Sequence, residues 1–159
     1  MASPSKHSQH AMPYRHLAVM LALSFVAMLA FMYAMVDRWA NVILNLNQVY
    51  MAGLMVAPMA VIELAVMRSM YPNRRLNLIV IGASIVLLLV CWLGIRWQAG
   101  IGDKEFVRSM IPHHAGAVLM CGKAEVRDAE IQRLCGNIVK SQQQEIAQMK
   151  AILQRLERQ

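Results

Sequence analysis

Three apolar runs, Leu17 to Met35, Val49 to Met67 and Leu76 to Ile95, dominate the first two thirds of the chain. Each is about 19 or 20 residues long, roughly 28 to 30 Å as α-helix, which matches the hydrocarbon thickness of a bilayer. The first run lacks the small-residue cleavage pattern of a signal peptide, since Met32, Tyr33 and Ala34 follow its apolar stretch, so it is expected to remain as a helix. Polar segments punctuate the runs. Val36 to Asn41 reads as one connection, Met70-Tyr71-Pro72-Asn73 as a turn, and Gln98 to Gly102 as a short linker. Beyond it the pattern changes to amphipathic. Asp103 is expected to cap a helix carrying Phe106, Met110, His113 or His114, Ala117 and Met120 on one face, with Pro112 kinking it. Asp128 is expected to cap a second helix, whose Ile131, Cys135, Ile138, Gln142, Glu145, Met149, Ile152 and Leu156 recur by four and three. A turn at Glu125 to Arg127 joins the two. The fold class expected is all-α: three transmembrane helices followed by a two-helix antiparallel hairpin. Residues 1–15 are expected to be a disordered tail, residues 16–97 the membrane region, 98–102 the linker and 103–159 the hairpin domain.

Composition agrees with this pattern, with 58% apolar and 16% charged residues. The net charge of +7 changes little, because it marks topology rather than nucleic acid. Residues 1–102 hold seven Lys/Arg against two acids, and residues 103–159 hold nine against seven. Lys6 and Arg15 precede the first run, and Arg68, Arg74 and Arg75 crowd the second connection, whereas the first connection offers only the offsetting Asp37 and Arg38. The positive-inside rule then puts the N-terminus in the cytoplasm and, after three spans, the C-terminal domain outside. In a bacterium that is an inner-membrane protein with a periplasmic domain, where disulfides persist.

The hairpin register brings polar groups together. Pairing Cys121 with Cys135 sets His114 opposite Gln142 and Met110 near Glu145 and Met149. A Gln and a Glu on an apolar seam cost stability unless satisfied. Two readings follow: a bound metal satisfies them, or they hydrogen-bond to the histidines while the methionines fill space. If a metal binds, imidazole with thioether selects copper, with Cu(I) favoured over Cu(II). Cys121 and Cys135 flank the turn evenly, each followed by glycine (Gly122, Gly136), which suits a disulfide; thiolate ligation of Cu(I) is the rival reading. Cys91 reads as a buried thiol. In the second run Met51, Met55, Met59 and Glu63 stand four apart, and Met28 and Met32 share a face of the first; this row either packs or passes copper, with Arg68 as the expected partner of Glu63. His7, His10 and His16 in the N-terminal segment are at most weak metal ligands.

The run Phe106-x-x-x-Met110-Ile111-Pro112-His113-His114-x-Gly116-Ala117-x-x-Met120, followed by Ile138-x-x-x-Gln142-x-x-Glu145-Ile146-x-x-Met149, resembles the domain of unknown function 305 family of ferritin-like helical domains. Tyr50-Met51-Ala52-Gly53-Leu54-Met55 is similar to its membrane-anchored members. The resemblance implies a periplasmic copper-binding protein linked to copper tolerance, with Met110, His113, His114, Met120, Glu145 and Met149 as candidate ligands. Larger members carry two such hairpins and this chain has one, so a homodimer completing a four-helix bundle is expected. The reading is of a copper-binding membrane protein that buffers, sequesters or passes on copper and is not an enzyme. The alternative is a metal-free helical hairpin that drives self-association. A di-iron enzyme is disfavoured, because Glu145 stands alone on its seam where such sites gather several carboxylates.

Overall fold

The computed structural model describes residues 6–158, with side chains from Met12 onward. Every regular element among them is helical: α1 Lys6–Phe31, two 3-10 turns at Met32–Met35 and Trp39–Asn41, α2 Leu46–Val66, α3 Arg74–Trp97, α4 Asp103–Lys123 and α5 Ala129–Glu157. Met12–Met35, Leu46–Val66 and Arg74–Trp97 are long and apolar enough to cross a membrane. Residues 6–15, expected as disordered tail, are the opening turns of α1. Extending an existing helix fixes one residue per hydrogen bond gained, so a polar stretch can continue it without an apolar face of its own. His16 is exposed there, and the side chains of His7 and His10 lie outside the described residues.

The chain forms two compact units. One comprises the described part of Met1–Ala30 together with Val49–Ala99; the other comprises Phe31–Gln48 and the described part of Gly100–Gln159.

Small residues organise the first unit. The buried face of α2 is Ala52, Gly53, Val56, Ala57, Ala60 and Leu64, recurring at three- and four-residue spacing. Such residues let apolar helices approach closely where no hydrophobic force drives them together. A Cβ on Gly53 would lie 2.6 Å from Cys91 Sγ, and one on Gly94 would lie 2.9 Å from the Tyr50 ring. Asn73 caps α3 through its side chain, accepting from the backbone N–H of Arg75 and Leu76. Near this end Tyr14 donates to Asn77 Oδ1 at 2.8 Å, Tyr71 donates to Glu63 Oε1 at 3.4 Å, and the two tyrosine rings meet edge to face at 5.2 Å. Burial, reinforced by the Glu63 carboxylate, raises the pKa of the Tyr71 phenol above its ordinary value.

In the second unit α4 and α5 share one core of Val107, Ile111, Ala115, Val118, Ile146 and Leu153, with Val139, Met149 and Ile152 partly buried against it. Asp128 caps α5 as expected, accepting from the N–H groups of Glu130 and Ile131. Asp103 does not cap α4. Gly102 occupies that position, and Asp103 lies in the first turn, where its charge complements the helix dipole. The N-terminal N–H of Leu46 in α2, which has no partner within its own helix, is taken by Glu105 Oε2 at 3.0 Å, while Asn45 caps the same helix, its Oδ1 accepting from Gln48 N at 3.1 Å. Arg108 bridges Glu105 and Glu157, each at 3.1 Å, and these hydrogen bonds raise its pKa further.

Candidate functional site

The inward face of α4 is rotated by one residue from the expected one. Val107, Ile111, His114, Ala115 and Val118 are buried, whereas Phe106 and Met120 are 52% and 58% exposed. Two apolar stripes run side by side on this helix, and the compact branched side chains fit between two close helices better than Phe and Met do. On α5 the seam is likewise Cys135, Val139, Gln142, Ile146, Met149, Leu153 and Leu156, all buried or half-buried. Ile131 is exposed and Glu145 sits at the seam's edge, its side chain 49% exposed.

This rotation separates the two histidines. α4 runs unbroken through Pro112, and consecutive helical residues point about 100° apart. His114 therefore turns inward and is 8% exposed, while His113 faces solvent with its ring centroid 6.0 Å away. His114 is held at both ring nitrogens: Nδ1 lies 2.9 Å from the Met110 carbonyl oxygen and Nε2 lies 2.7 Å from Glu145 Oε2. A carbonyl can only accept, so Nδ1 donates to it. The second contact then requires one further proton, carried by the imidazole or by the carboxyl, because neutral imidazole has a single N–H. Gln142 lies one turn from Glu145 on the same side of α5. Its Oε1 is buried without a hydrogen-bond partner.

Of the residues singled out for metal, His114, Glu145 and the backbone of Met110 are thus brought together, with Gln142 and the half-buried Met149 on the facing seam. His113 and Met120 are turned away from that seam. Among the described residues no three His, Cys, Asp or Glu side chains converge as a metal cluster. Cys121 and Cys135 form a disulfide, their Cα atoms 5.0 Å apart, and are not free thiolates. Gly122 and Gly136 have open space where a Cβ would stand, so neither is needed for helix approach. Cys91 is a free, buried thiol.

The methionines of the apolar helices differ in exposure. Met51 and Met55 are exposed on α2, Met28, Met32 and Met59 are half-buried, and the inward face belongs to the alanines and Gly53. Glu63 is met by the Tyr71 hydroxyl, not by Arg68. Sequence spacing did not reveal the Glu105–Arg108–Glu157 bridge. Its only signal was the i, i+3 pair of Glu105 and Arg108.

An all-helical chain of two units, with three helices able to cross a membrane and an amphipathic pair of helices at its end, defines the class. Residues 97–159 match the family described as "Domain of unknown function (DUF305)". The chain is also 36% identical over 141 residues to "Uncharacterized protein L153" of Acanthamoeba polyphaga mimivirus, an alignment covering 85% of this chain and 89% of the viral protein. The chain belongs to the same family as this viral protein, the alignment reaching well beyond the C-terminal residues 97–159 that carry the domain match. No solved structure matches.

Proposed function

We propose that this is a membrane-anchored copper-binding protein whose C-terminal antiparallel hairpin buffers, sequesters or passes on copper on the outer side of the membrane. The observation that carries the reading is the buried, unpartnered Gln142 Oε1 one turn from the His114–Glu145 contact. A buried acceptor without a donor costs free energy, and a cation removes that cost. The donor set suits one. His114 Nδ1 donates to a backbone carbonyl, the arrangement that fixes the tautomer and aims the other nitrogen of a metal-ligating histidine. Nε2 and Glu145 Oε2 already share a proton's place, so metal binding there releases a proton. Met149 adds a soft thioether from the same seam, which favours Cu(I). His113 is free to serve a second copy of the chain in a dimeric four-helix bundle.

One observation favours a metal-free hairpin instead: both nitrogens of His114 have partners within the chain. Competitive titration of the purified full chain with chelators specific for Cu(I) and Cu(II) separates the two. Under the copper reading His114→Ala loses at least about 10-fold to 100-fold in affinity. Met149→Leu weakens Cu(I) more than Cu(II), and Glu145→Gln does the reverse. Affinity unchanged in His114→Ala and Glu145→Gln leaves the hairpin as a structural and self-associating element.

A further inference from the structure

A pocket of about 370 Å³ opens in the second unit between the segment Asp37 to Asn41 and the α5 face that carries Gln143, Ile146 and Lys150. Its polar lining is incomplete. Asn41 is 4% exposed; its Nδ2 donates to Asp37 Oδ1 at 2.6 Å, and its Oδ1 is buried with no partner. Asp37 is further offset by Arg38, Nε to Oδ2 3.6 Å. Lys150 lines the same pocket and has no hydrogen-bond or ion-pair partner among the described residues. The lining therefore carries one negative and two positive side chains, net +1, together with one buried acceptor in need of a donor. A ligand that completes it bears a single negative charge and a hydroxyl. Connectivity supplies the rest. Asp37 to Asn41 lie between the two candidate spans Met12–Met35 and Leu46–Val66, only two residues beyond the first. If those spans cross the bilayer, this segment lies at the level of the phospholipid head groups.

We propose that this pocket holds the head group of an anionic phospholipid that bears hydroxyl groups, with its phosphodiester at Lys150 and Arg38 and a hydroxyl donating to Asn41 Oδ1. The proposal rests on the membrane-anchored part of the reading above and not on copper. Lys150 on α5 thereby ties the extramembrane helices to the bilayer surface, the Gln143, Ile146, Ala147 and Lys150 positions sharing one helical face.

The test is native mass spectrometry of the full chain released from a mixture of phosphatidylglycerol, phosphatidylmethanol and phosphatidylcholine. Phosphatidylmethanol has the charge without the hydroxyls. The expected result is retention of phosphatidylglycerol over either competitor by about fivefold, the equivalent of one net hydrogen bond. Lys150→Ala, half-exposed and so compatible with the fold, removes the preference, whereas Arg155→Ala, an equal charge loss elsewhere on α5, leaves it intact. Equal retention of the three lipids, or an unaltered preference in Lys150→Ala, overturns the pocket assignment. Displacement of the lipid by an equal concentration of soluble glycerophosphoglycerol overturns the lipid source in favour of a free phosphodiester. Extraction of the chain from membranes by alkaline carbonate would show instead that the spans themselves were misread.

Discussion

The two units hold their helices together in opposite ways. In the first, backbones approach because side chains are missing: Gly53 and Gly94 meet Cys91 and Tyr50 at distances no Cβ could share. In the second, Val107, Ile111, Val118, Ile146 and Leu153 fill the space between α4 and α5, and glycines are incidental. On the proposed membrane-anchored reading, solvent explains the contrast. Lipid tails are as apolar as leucine, so large side chains gain nothing by leaving them, while water drives Val and Ile into contact. The polar exceptions follow the same logic: Glu63 meets a phenol, and Glu145 meets an imidazole.

The sharpest way to break this comparison is to empty the second core. Ile111 is 0% exposed, so Ile111→Ala is expected to cost about 2–5 kcal/mol. Phe106→Ala, on the neighbouring exposed stripe, should stay within about 0.5 kcal/mol. Chemical denaturation followed by circular dichroism of the two variants decides the rotation of α4. Equal losses would return the Phe106 face to the core.

Next in size is the disulfide. Cys121 and Cys135 are 14 residues apart, and closing so short a loop restricts the unfolded chain by about 3 kcal/mol. Cys135→Ser is expected to lower the unfolding free energy of α4 and α5 by that amount in non-reducing buffer and by nothing in reductant. A drop under both conditions would mean that Cys135 contributes through packing, not through the crosslink.

Much of this was legible in the sequence. The three apolar runs, the Asp128 cap and the turn after Lys123 are local signals, each written in a few adjacent residues. What was hidden is the choice between adjacent apolar stripes. On α4, positions 106, 110, 113, 117 and 120 and positions 107, 111, 114, 118 and 121 both keep the helical period, and periodicity cannot rank them. Packing does, by preferring Ile111 to Met110, and that one-residue turn sends His114 inward and His113 outward. The Met51 and Met55 row was similarly visible as a row, but its outward direction depends on Gly53 and the alanines beside it. Asn41 and Lys150 gave no joint signal, because over 100 residues of chain separate the two walls of their pocket.

The smallest predicted effect is also the one that most directly opposes the two units, since it uses the same substitution in each. Gly136 lies inside α5 with open space around its absent Cβ and an ordinary helical backbone. Glycine there leaves the unfolded chain needlessly free, so Gly136→Ala is expected to stabilise by about 0.5–1 kcal/mol. Gly53 lies inside α2, where the added methyl would stand 2.6 Å from Cys91 Sγ. The gain in helix propensity is the same, but α2 and α3 must separate or Cys91 must turn away, and overpacking of this kind costs about 1–3 kcal/mol. Gly53→Ala is therefore expected to destabilise on balance. Cys91→Ala relieves the clash, so the double variant should recover most of the loss, a coupling that a backbone effect at Gly53 alone would not produce. Midpoints of unfolding in sodium dodecyl sulfate for the four variants measure it, and a stabilised Gly53→Ala would show that the spans, like α4 and α5, keep room to spare between them.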